Sequence, residues 1–119
     1  MTGAAARRER LKQGGVLDSR ELLELEGGEE VIVAGLVTVR QRPETAGGTI
    51  FLLLEDEHGF INVVVPNRLV EANREVVKFA LFVLVQGRFE RDGPVMNLVG
   101  RKFRKLAVRE LTYASRDFH

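Results

Sequence analysis

Within the stretch VIVAGLVTVRQRPETAGGTIFLLLEDEHGFINVVV, residues 31–65, a few side chains are of the types that hold a nucleotide: Arg40, Arg42, Phe51 and Asn62. An aromatic ring offers a stacking surface to a base of any identity, worth roughly 1–3 kcal/mol per base. A guanidinium contacts a phosphate or lies flat against a ring. An amide carries the donor and the acceptor needed to read a base edge. Each also has a plainer reading. Phe51 can belong to a core, the two arginines can be solvated, and Asn62 can be an ordinary exposed strand residue.

Other chemistries find little footing. The chain has no cysteine, and His58 and His119 are its two histidines, so a zinc-ligand constellation is missing. The run Glu55-Asp56-Glu57 is acidic. One short run cannot aim three carboxylates at one ion, so it reads as a turn. Ser19 and Ser115 lack the setting of a nucleophile, and Glu44 to Gly48 lacks the spacing of a phosphate-cradling loop. The sequence describes a binding module and not a complete enzyme, with no metal and no cofactor expected.

The elements that must position these residues are mostly strands. A first strand is expected over Val31–Gln41, with a bulge or a sharp coil at Gly35 and with Thr38, Arg40 and Arg42 sharing one face. A second is expected over Thr49–Glu55 and a third over Phe60–Val65, joined at His58-Gly59. A two-residue turn there sets Glu55 opposite Asn62. Alternation then places Phe51, Leu53, Asn62 and Val64 on the outer face, and Ile50, Leu52, Leu54, Ile61, Val63 and Val65 inward.

Pro66 stops the third strand, and Asn67 is the expected N-cap of a helix over Arg68–Val77. A fourth strand over Ala80–Glu90 turns at Asp92-Gly93 into a fifth over Val95–Val99. Upstream, residues 1–13 suit a frayed helix. Asp18 with Glu21 forms a capping box for a short helix that sets its leucines on the bottom of the barrel, ending at Gly27-Gly28. Three strands, a helix and two strands make the all-β, five-stranded Greek-key barrel of the OB-fold, which binds oligonucleotides on the face of its second and third strands. The expected division is a helical lead-in at 1–28, the barrel at 29–106 and a loose tail at 107–119.

The net charge of +1 argues against a polycation that coats nucleic acid indiscriminately. Charge is nonetheless uneven. From Pro43 to Lys78 acids outnumber bases; from Phe79 onward Arg88, Arg91, Arg101, Lys102, Arg104, Lys105, Arg109 and Arg116 face Glu90, Asp92, Glu110 and Asp117. Arg88 and Arg91 flank the loop between the last two strands, while Lys102 and Lys105 lie in a basic cluster after Gly100. Both sets are candidates for tracking phosphates. No apolar run approaches membrane-spanning length, and no secretory signal opens the chain, so a cytoplasmic protein without a membrane partner is expected.

The segments VAGLVTVRQRPETAGG, FLLLEDEHGFINVVV and LVQGRFERDGPVMNLV resemble the C-terminal OB domain of bacterial error-prone DNA polymerases, the C-family enzymes related to the DNA polymerase III alpha subunit. The lead-in LKQGGVLDSRELLELEGGEEV and the ending SRDFH are similar as well. The resemblance implies a template-strand partner, single-stranded DNA, in translesion synthesis and DNA repair. It also implies contacts with other polymerase domains, a sliding clamp or an accessory mutagenesis protein. More distantly, Phe51 and Asn62 resemble the anticodon-binding pair of class II aspartyl-type tRNA synthetases, which leaves RNA as an alternative. Gly47 stands where that polymerase family usually has lysine, and Leu53 where Thr or Ser is common, making the face more apolar and less cationic.

Overall fold

A computed structural model describes residues 15–107. The expected N-terminal helix over 1–13 and most of the tail, from residue 108, lie outside the described residues. Six strands follow in chain order: β1 (Val16–Leu17), β2 (Glu30–Gln41), β3 (Ile50–Glu55), β4 (Phe60–Val65), β5 (Phe82–Asp92) and β6 (Val95–Lys105). Short helices intervene: α1 (Ser19–Leu22), α2 (Asn67–Val70) and α3 (Arg74–Phe79), with a 3₁₀ turn at Glu44–Ala46.

The strands run β1-β2-β3-β4-β6-β5, and β5 pairs back onto β2. That pairing closes a five-stranded barrel, with β1 as a short parallel addition beside Ile32 and Val33. This is the OB-fold arrangement. One strand, β2, serves both halves: residues 30–36 pair with β5 and residues 36–41 with β3. Gly35 sits at the changeover, where a Cβ would stand 2.8 Å from the carbonyl oxygen of Glu55.

The barrel interior is filled from every strand. Ile50, Leu52, Leu54, Ile61, Val63 and Val65 are buried as alternation requires, with Val31, Val33, Val83, Val85, Phe89 and Leu98 facing them. Leu17, Leu22 and Leu25 of the lead-in join this core from one end. The capping box is present: the Glu21 N–H donates to Asp18 Oδ1 at 2.7 Å, and the Asp18 N–H donates to Glu21 Oε1 at 3.2 Å.

Several elements depart from expectation for identifiable reasons. The β3–β4 connection has four residues, so Glu55 lies opposite Phe60 and Asn62 opposite Leu53. The shift is even, so every side chain keeps its face. The helix expected over Arg68–Val77 is divided, because Asn73 donates its side-chain amide back to the Leu69 carbonyl at 2.8 Å and leaves helical geometry at φ −119°, ψ 25°. Pro66 occupies the N-cap in place of Asn67. The last strand continues through Lys105, because β5 is long enough to pair it along its whole length. Gly100 is therefore not its end. There a Cβ would come 2.5 Å from the Phe103 ring, so the glycine admits that ring to the barrel wall.

Candidate nucleic-acid interface

The outer face of the β3–β4 hairpin is set by strict alternation. Phe51 is 38% exposed while its neighbours Ile50 and Leu52 are buried. The ring lies outside the barrel, paired with Val64 on β4 and Gln41 on β2. One register step away, Leu53 lies between Val39 and the exposed Asn62. Pairing continues outward from Val64 to Val99 on β6 and from Val99 to Arg88 on β5. Gln41, Phe51, Val64, Val99 and Arg88 thus form one row across five strands.

The arginines expected beside Phe51 are arranged differently. The register of β2 against β3 slips between Val37 and Val39, leaving Thr38 as a bulge. Thr38 spans the irregularity by donating its hydroxyl to the Leu53 carbonyl at 3.1 Å. Beyond the bulge the parity reverses. Val39 and Gln41 take the Phe51 face, and Arg40 falls in line with the inward-facing Leu52. At the barrel end its guanidinium turns to α3, donating from Nε to the Val77 carbonyl at 2.8 Å and from Nη2 to that of Ala80. Burial pushes the Arg40 guanidinium down from its ordinary value. Arg40 is a helix C-terminal clamp, and the shared face of Thr38, Arg40 and Arg42 does not form.

Arg42 is exposed where β2 enters the 3₁₀ turn. That loop reverses at Gly47 and Gly48, both with positive φ. A Cβ on Gly48 would stand 2.5 Å from Asn67 Oδ1, so the loop is seated against the start of α2.

On β5, Arg91 donates from Nη1 to the carbonyls of Leu23 at 2.7 Å and Leu25 at 3.0 Å, holding the residues after α1. Arg88 is ion-paired with Glu90, and Arg101 with Glu30. Lys102 and Lys105 are exposed on β6, where Lys102 lies opposite Gln86 and Lys105 opposite Val83. The structure therefore brings Phe51 and Asn62 onto one face, turns Arg40 and Arg91 to main-chain carbonyls, and pairs Arg88 with an acid.

The acidic run at the hairpin tip organises a turn and a latch. Asp56 Oδ1 accepts from the N–H groups of His58 at 2.9 Å and Gly59 at 3.0 Å. The same carboxylate accepts from the Ser19 N–H and hydroxyl, each at 2.7 Å, tying α1 to the hairpin. No cluster of metal-ligating side chains occurs among the described residues. No helix among them is long and apolar enough to cross a membrane.

Three features escaped the sequence reading. Val39 and Gln41 flank Phe51 only because of the Thr38 bulge, which no residue type announces. Phe60 is 59% exposed at the start of β4; its parity with Asn62 already placed it on the outer face. Below it, β4 and β6 pair only at Val63–Leu98 and Val64–Val99. The strands separate before that point, opening a groove of about 320 Å³ lined by Leu23, Phe60, Asn62, Val95, Met96 and Asn97.

No family model matches the chain. Curated relatives do. An error-prone DNA polymerase of Pseudomonas fluorescens (strain Pf0-1) is 48% identical over 103 residues, covering 85% of this chain and 10% of the relative. One of Xanthomonas campestris pv. campestris (strain B100) is 44% identical over 114 residues, covering 94% of this chain and 10% of the relative. The chain thus spans about a tenth of the length of the curated relatives it matches. Among solved structures, an asparaginyl-tRNA synthetase from Pyrococcus horikoshii complexed with asparaginyl-adenylate superposes with a TM-score of 0.62 at 24% identity, over 76% of this chain and 22% of that one. The S. pombe Stn1–Ten1 complex superposes with a TM-score of 0.57 at 16% identity, over 74% of this chain and 66% of that one. These likenesses agree with the strand order in giving the OB-fold. The chain is an OB-fold domain homologous to one small part of the bacterial error-prone DNA polymerases.

Proposed function

We propose that this domain binds single-stranded DNA for an error-prone polymerase, presenting the template strand and leaving the chemistry to other parts of such an enzyme. The observation that carries the reading is the solvent-facing Phe51 ring, set in a row of outward side chains on a closed barrel. A base stacks on that ring, Asn62 addresses a base edge, and Gln41 offers a second amide. Arg42, with Lys102 and Lys105 farther round the barrel, supplies phosphate contacts. The homology to polymerases named error-prone supports a DNA partner and a role in translesion synthesis and repair.

With Arg40 and Arg91 committed to carbonyls and Arg88 paired, cations are few at this face, so binding is modest and rests more on stacking than on charge. The apolar Val39, Leu53 and Val64 around Phe51 favour a second reading, in which the face docks a neighbouring polymerase domain, a clamp or an accessory protein. Fluorescence anisotropy with oligo-dT, duplex DNA and a tRNA stem-loop, each titrated with salt, separates these. Preference for oligo-dT, weakened by Phe51→Ala, supports the first reading. No oligonucleotide binding, with salt-resistant capture of polymerase fragments, supports the second. A preference for the stem-loop makes RNA the ligand.

A further inference from the structure

We infer that the groove between the beginnings of β4 and β6 is a second nucleobase site, in which one base stacks on Phe60 and is read by the amides of Asn62 and Asn97. The inference rests on the single-strand reading above and extends it to an adjoining position that shares Asn62 with the Phe51 face.

The groove exists because β4 and β6 share only two paired positions, and the strands part below Val63 and Leu98. Core side chains Ile61, Phe89 and Leu98 form its floor. Leu23, Val95 and Met96 wall it, and Phe60 stands exposed at its mouth. Its polar groups are the Asn62 and Asn97 amides and Ser19, and Ser19 is already bonded to Asp56. None of the described residues lining it is ionisable. An apolar, uncharged slot with two amides at its rim suits a neutral heteroaromatic ring and not a phosphate. Its volume of about 320 Å³ is at the small end of ligand sites, fitting one base with part of its sugar.

Continuity with the Phe51 face favours a base over a peptide side chain. Phe60, Asn62 and Val64 alternate along the outward face of β4, and Val64 is the partner of Phe51. Four strand steps, about 13 Å, separate Phe60 from Val64, the cross-strand partner of Phe51, with Asn62 between them on one surface. One strand of a few nucleotides reaches both, within the roughly 4–16 nucleotides that an OB fold holds.

The chain has no tryptophan, so Phe60→Trp introduces a single reporter at the mouth of the groove. Oligo-dT long enough to span both rings is expected to quench it, and Phe60→Ala is expected to weaken binding of that oligonucleotide by roughly five-fold or more. A trinucleotide held at Phe51 alone should be indifferent to Phe60→Ala. Asn97→Ala, checked for folding by circular dichroism, should lower affinity without abolishing the quenching. If oligo-dT binds, Phe51→Ala weakens it, and neither Phe60 variant responds, the second site is refuted while the single-strand reading stands. If the parent chain binds no oligonucleotide, the single-strand reading fails first and this inference falls with it. Quenching by an apolar peptide but not by oligo-dT also overturns it.

Discussion

Arg40 donates from Nε to the main-chain carbonyl oxygen of Val77 at 2.8 Å, joining the end of β2 to the last turn of α3. With its second bond to Ala80, the guanidinium satisfies carbonyls that the helix leaves without internal partners. Arg40→Met keeps much of the aliphatic stem and removes both bonds. It should lower unfolding stability by about 1–3 kcal/mol, measured by urea denaturation. Affinity of the folded protein for oligo-dT should stay within about twofold.

Arg42 gives the opposite pattern. It is exposed and its removal should leave stability unchanged. If it contacts a phosphate, Arg42→Ala should lower the slope of log affinity against log salt by about 0.7 in magnitude, the contribution of one phosphate contact to a single strand. An unchanged slope in salt-titrated anisotropy would remove Arg42 from the interface.

Asp56 is the common acceptor for the hairpin turn and for α1. Asp56→Ala breaks four hydrogen bonds at once and should destabilise the domain by about 1–3 kcal/mol. Amide exchange should accelerate at Ser19 and at Gly59 before it does in the barrel core. Equal acceleration everywhere would mean that Asp56 does not act as a latch.

Gly87 packs against β6 where the β5–β6 register slips, and a Cβ there would collide with the carbonyl of Val99. Gly87→Ala should cost about 1–3 kcal/mol through overpacking, visible as a lower thermal midpoint. Gly93→Ala is a useful comparison. No atom crowds that position, and its φ of +59° makes any penalty purely conformational.

Much of the barrel was legible because alternation survives errors of detail. The hairpin register was two residues out, yet Phe51 and Asn62 still emerged on the correct face, since an even slip preserves sides. The first strand was less forgiving. Its bulge at Thr38 is an odd slip, and it exchanged Arg40 for Val39 and Gln41 beside Phe51. Nothing in TVRQ marks that irregularity; it arises where a strand that has just left one partner engages another. Gly35 announced a bulge or a bend, but the extra residue falls three positions on, at Thr38. The basic run after Gly100 misled for a different reason. Its lysines and arginines look like a solvated segment, although Phe103 among them keeps contact with the core. Side chains committed to distant carbonyls, Arg40 and Arg91, were beyond local pattern altogether, because their partners lie 37 and 66 or more residues away.

Leu36 pairs with Phe82 on one side and Glu55 on the other, so a single ribbon is stitched into both walls of the barrel. Neither wall can come loose by itself: peeling away β3 or β5 strips bonds from the same backbone. Opening is then an all-or-nothing event, and the amides around Leu36 should be among the last to exchange, at rates that report global unfolding. The outward face of β3 and β4 is thus carried on a frame that opens only as a whole.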